Sequence, residues 1–111
     1  MNNNFKVKQF IHANQFIIRG EHKVIFQSYD STIAIIEYTE DGQVLTLGCD
    51  WDYSNTTLKH LYMFLGEYLS YNFKGLNEYS LTSELNASRN KRAYIQKCID
   101  KDIIKYDEGL R

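Results

Sequence analysis

Apolar and polar positions alternate along the first half of the chain and recur at helical spacing in the second. Phe16-Ile17-Ile18-Arg19 ends at Gly20, and Gly20-Glu21-His22 can turn the chain into Lys23-Val24-Ile25-Phe26-Gln27-Ser28-Tyr29, so these runs read as a hairpin. Asp30-Ser31 interrupts the pattern. Thr32-Ile33-Ala34-Ile35-Ile36-Glu37-Tyr38 then forms an apolar, β-branched run suited to a central strand. Glu40-Asp41-Gly42 is the strongest turn signal, because Gly42 can supply the positive φ that a tight hairpin needs, and Gln43-Val44-Leu45-Thr46-Leu47 completes a meander. Residues 1–15 stay open: Phe5 and Val7 alternate as in a strand, whereas Phe10, Ile11 and Gln15 suit a short helix.

The period changes after residue 53. Ser54 or Asn55 can cap a helix on which Leu58, Leu61, Tyr62, Leu65, Tyr68, Leu69 and Asn72 share a face, widened by Phe64 and Phe73. Gly75 is placed to end it. A second helix is predicted from Arg89 to about Asp100, with Ala93, Tyr94, Ile95 and Cys98 or Ile99 turned inward, followed by a short closing strand, Ile103-Ile104-Lys105-Tyr106. Contiguous strand signals followed by helices argue against alternating βαβ units. The expected fold is α+β: one domain, with a mainly antiparallel sheet of four or five strands, the 55–73 helix on one face and a smaller C-terminal helix beside it.

Charge changes this picture more than composition does. Residues 24–58 hold six acids (Asp30, Glu37, Glu40, Asp41, Asp50 and Asp52) and no Lys or Arg, while the flanks carry the cations, so a net charge of -1 conceals a dipolar chain. An acidic sheet face would repel phosphate backbones and attract basic protein surfaces. Nine tyrosines exceed what a small core needs and add rigid contact area with a polar tip. Met-Asn-Asn-Asn does not resemble a secretory leader, and no apolar run approaches the ~20 residues of a membrane span, so the expected setting is the cytoplasm with Cys49 and Cys98 reduced.

Cys49-Asp50-Trp51-Asp52-Tyr53-Ser54 is the densest cluster of reactive groups. Asp50 and Asp52, with His60 further along the helix, could hold a metal or move protons. The favoured reading is structural: acids suit a helix N-terminus, and alternation sends Asp50 and Asp52 to one side and Trp51 to the other, as suits an anchored loop displaying acids. His12, His22 and His60 show no paired ligand spacing and are expected at the surface. Arg89, Lys91, Arg92 and Lys97 are the main basic concentration, diluted by neighbouring acids, and a solvated helix face is expected there before a nucleic-acid site. No G-x-G-x-x-G or G-x-x-x-x-G-K motif occurs.

Two stretches, Ser28-Tyr29-Asp30-Ser31-Thr32-Ile33-Ala34 and Tyr53-Ser54-Asn55-Thr56-Thr57-Leu58-Lys59-His60-Leu61 with Phe64-Leu65 one turn on, resemble a family of small proteins carried by bacteriophages and plasmids of Gram-positive bacteria. That resemblance implies a mobile-element protein inside a host cell. In that setting, acidic-faced domains without active sites resemble anti-defence inhibitors, anti-CRISPR proteins among them, which cover basic nucleic-acid surfaces of host nucleases. The expected function is therefore non-enzymatic: an inhibitor or accessory factor binding a host protein, a nucleic-acid-binding defence effector in particular. Its partner-binding residues would be Tyr29, Asp30, Glu37, Glu40, Asp41, Asp50, Trp51, Asp52 and Tyr53, with no cofactor, metal or catalytic residue. The competing functions are nucleic-acid binding through the C-terminal helix and metal-dependent catalysis by Asp50, Asp52 and His60.

Overall fold

Strand alternation in the first half of the chain builds a meander whose inward residues become the core. The computed structural model describes residues 6–9, 14–40, 42–69, 85 and 87–111. Six strands pair in sequence order: β1 (Lys6–Gln9), β2 (Gln15–Arg19), β3 (Lys23–Ser28), β4 (Ser31–Thr39), β5 (Gly42–Gly48) and β6 (Lys105–Asp107). All neighbours are antiparallel except β5 and β6, which are parallel. Parallel neighbours require a crossover, and the chain carrying α1 (Asn55–Tyr68) and α2 (Lys91–Asp100) supplies it.

The sheet thus has six strands where four or five were expected. The additional strand is β1, whose Val7 lies opposite Ile18, and its short, wholly exposed run gave too few alternations to separate strand from helix. Ile17, Phe26, Ala34, Ile36, Leu45 and Leu47 point to one face and are inaccessible to solvent. Helix α1 lies against β3 and β4 on this side, burying Leu58, Leu61, Phe64 and Leu65, and Phe64 stacks on Phe26 with ring centroids 5.5 Å apart. A bulge between Phe26 and Gln27 shifts the β3–β4 register and lets Ile33 and Ala34 both turn inward.

Helix α1 ends at Tyr68, short of the predicted Phe73. Leu69 is extended (φ -88°, ψ 132°), and the Gln43 side-chain amide donates to the Tyr68 carbonyl at 2.9 Å, so a strand residue closes the last turn without a glycine. Asn72, Phe73 and Gly75 lie outside the described residues. Helix α2 starts at Lys91, with Asn90 accepting from the Ala93 amide at 3.0 Å, and it buries Ile95 and Cys98, whereas Ala93 is exposed. Both cysteines are free thiols. Among the described residues, no helix is long and apolar enough to cross a membrane.

Candidate functional site

The two stretches singled out in the sequence meet in space. Ser28 pairs with Ser31, so Tyr29 and Asp30 form the two-residue β3–β4 turn. Tyr29 has φ 53°, in the left-handed region, a conformation costing a non-glycine residue about 1 kcal/mol. Two hydrogen bonds hold it there: the Tyr29 N–H donates to the Asn14 carbonyl at 2.6 Å, and the Gln27 side-chain amide donates to the Tyr29 carbonyl at 3.0 Å.

Facing this turn is the entry to α1. After β5, successive turns are closed by Trp51 N–H donating to Gly48 O and Tyr53 N–H donating to Asp50 O, both at 3.1 Å. Ser54 caps the helix, accepting from the Thr57 amide at 3.1 Å. Ser31 Oγ donates to Asp50 Oδ2 at 2.9 Å and so ties the turn to the helix entry. Between them opens a cavity of about 710 Å³. Its charged lining is Asp30 and Asp50, and no Lys, Arg or His is among the described lining residues. Ser28, Ser31, Ser54, Thr56 and Thr57 supply hydroxyls, and Asn14 and Gln15 supply amides. Tyr29 and Tyr53, 67% and 80% exposed, stand beside the opening.

At the cavity's base the structure departs from expectation. His60, expected at the surface, is 2% exposed, because its position on α1 lies above Gln15 at the end of β2. The Gln15 side-chain amide and His60 Nδ1 are hydrogen-bond partners across this packing, joining residues 45 positions apart. Gln15 is 4% exposed, and its carbonyl Oε1 is buried with no hydrogen-bond partner among the described residues. Asn14, Gln15, Ser28, Ser31, Thr56 and Thr57 were not singled out as binding residues. For Gln15 a signal existed: it shares the inward face with Ile17, and a polar residue there is unusual.

The other predicted residues separate. Trp51 is 3% exposed and belongs to the core, so it anchors the loop and offers no surface to a partner. Asp52 forms an ion pair with Arg92 Nη2 at 2.5 Å, and the same guanidinium lies 5.8 Å from the Trp51 ring centroid. Tyr62, close to Arg92 on α1, has its pKa raised by burial, an effect that the guanidinium's charge opposes. Glu37 and Glu40 are exposed at the opposite end of β4, and Asp41 lies outside the described residues. At ~3.3 Å per residue, Asp30 and Glu37 are roughly 23 Å apart. The acidic stretch is therefore two separate groups rather than one face.

The competing sites also disperse. Among the described residues, no three His, Cys, Asp or Glu side chains gather closely enough to hold a metal, so Asp50, Asp52 and His60 are not a ligand set. Arg89 precedes α2, Lys91 donates to the Ser88 carbonyl at 3.3 Å, and Lys97 stands about 140° around the helix from Arg92.

The model of DUF8033, described as a family of unknown function, matches residues 1–82. The chain belongs to this family. The DUF8033 match takes in the meander, α1 and every described lining residue of the cavity, and stops before α2 and β6. No curated protein and no solved structure matches the chain.

Proposed function

We propose that the protein is a non-enzymatic inhibitor or accessory factor that binds a basic surface of a partner protein through the turn and helix entry around its cavity. The observation that carries this reading is the pair of carboxylates in the cavity's lining, with no cation among the described lining residues and with Tyr29 and Tyr53 exposed beside it. Exposed tyrosines bring contact area at low entropic cost, and uncompensated acids steer a basic partner before contact. The motif resemblance supports a host protein as that partner, in the cytoplasm, with a nucleic-acid-binding defence effector as the case in which a basic surface is already present. Nucleic-acid binding through α2 has less support, because Arg92 is engaged by Asp52 and Lys97 points elsewhere. A gel shift with generic DNA whose salt slope tracks Arg89, Lys91 and Lys97 would reverse that ranking.

The test begins with capture of proteins from a host lysate and continues with binding kinetics for the captured partner. Asp30→Lys should slow association about tenfold, most steeply at low salt, while Glu37→Lys with Glu40→Lys at the far end should leave it nearly unchanged. Unchanged association with Asp30→Lys would refute the reading.

A further inference from the structure

We infer that the cavity between the β3–β4 turn and the first turn of α1 is a receptor for one arginine side chain of the partner protein. The inference rests on the proposed function and names the chemistry of its contact. Three observations combine. The described lining contains the carboxylates of Asp30 and Asp50 and no basic group, so its net charge favours a cation. Gln15 lines the same cavity, and its buried Oε1 has no donor among the described residues, a state that costs free energy unless a donor reaches it. Tyr29 and Tyr53 present aromatic surface to a guanidinium entering beside them.

The positive end of α1 acts against a cation, but it amounts to about half a unit charge, against two carboxylates. Part of that end is also satisfied internally, through the bond from Thr57 N–H to Ser54 Oγ. Asp50 already accepts from Ser31 and, at 3.7 Å, from the Cys49 thiol, yet a carboxylate offers about four acceptor sites and keeps its charge. Arginine fits this arrangement better than lysine. Its planar fork of five donors can reach separated acceptors at once, whereas an ammonium is a compact point charge with a larger hydration cost.

The experiment titrates the intact ¹⁵N-labelled protein with three capped tripeptides, Gly-Arg-Gly, Gly-Lys-Gly and Gly-citrulline-Gly, following backbone amides. Citrulline keeps the shape of arginine and removes its charge. The arginine peptide should produce saturable shifts at Gln15, Tyr29, Asp30 and Thr57, with a Kd in the millimolar range expected of one side chain. Citrulline should bind about tenfold more weakly and lysine several-fold more weakly. Asp30→Asn, an exposed change whose fold is checked by its melting temperature, should weaken the arginine peptide about fivefold. Absence of saturable shifts at about ten times the expected Kd, equal binding of citrulline, or shifts of the same size at Glu37 and Glu40 would each overturn the inference. Failure here with Asp30→Lys still blocking partner capture would leave the proposed function standing without an arginine receptor. Arginine binding with capture unaffected by Asp30→Lys would do the reverse.

Discussion

The two ends of β4 carry similar acids in very different surroundings. At the β4–β5 tip, Glu37 and Glu40 are exposed. At the helix-entry end, Asp50 accepts from Ser31, Asp52 pairs with Arg92, and Asp30 stands beside a cavity. Acids close in sequence thus become a solvated rim at one end and a connected structure at the other. Charge per residue predicts neither, because the outcome depends on what the fold brings opposite each carboxylate.

The largest perturbation should remove the scaffold on which both ends depend. Leu65 is inaccessible on the face of α1 that meets the sheet, so Leu65→Ala should cost about 2–5 kcal/mol in urea denaturation. A loss no greater than that of Lys59→Ala, at an exposed site on the same helix, would take Leu65 out of the core. The two ends should then part company. Asp50→Ala leaves the Ser31 hydroxyl without its acceptor and should cost about 1–2 kcal/mol, whereas Glu40→Ala should stay within about 0.5 kcal/mol. Equal effects would abolish the distinction drawn between the ends.

A smaller effect is expected across the helix-entry loop. Arg92 and Asp52 are 54% and 26% exposed, and a double-mutant cycle should return only about 0.2–1 kcal/mol of coupling. A larger value would mean that Trp51, beneath the guanidinium, belongs to the same interaction. The smallest change in stability is expected for Tyr29→Asn. Asparagine accepts positive φ more readily and little buried surface is lost, so melting should stay level or rise slightly while partner binding falls. A clear loss of stability would return Tyr29 to a purely structural role.

Much of the fold was legible because alternation is a local signal. Strands β2 to β5 and the start of α1 lie within one or two residues of where period, turn residues and the Ser54 cap place them. The end of α1 was not legible, since it depends on Gln43 reaching the Tyr68 carbonyl from another element. Of the candidate site, Tyr29, Asp30, Asp50 and Tyr53 fall together, because turn and cap residues occupy the same end of the sheet. The pairing of Asp52 with Arg92 and the burial of His60 on Gln15 join residues distant in the chain, and no local pattern encodes them.

The parallel joint between β5 and β6 bears on when the site can exist. Thr46 pairs with Lys105, and just beyond, the Cys49 amide donates to the Leu110 carbonyl at 3.2 Å. Gly48 sits so close to the carbonyl oxygens of Thr32 and Leu110 that a side chain there would displace one of them. The loop that supports the cavity is thus backed by residues about sixty positions further along the chain. Hairpins of a meander close early because their contacts are near in sequence, whereas contacts spanning about sixty residues form late. The hairpins of the meander can therefore close before the loop beneath the cavity gains its backing, so the cavity takes its final shape only when the β5–β6 pairing has formed.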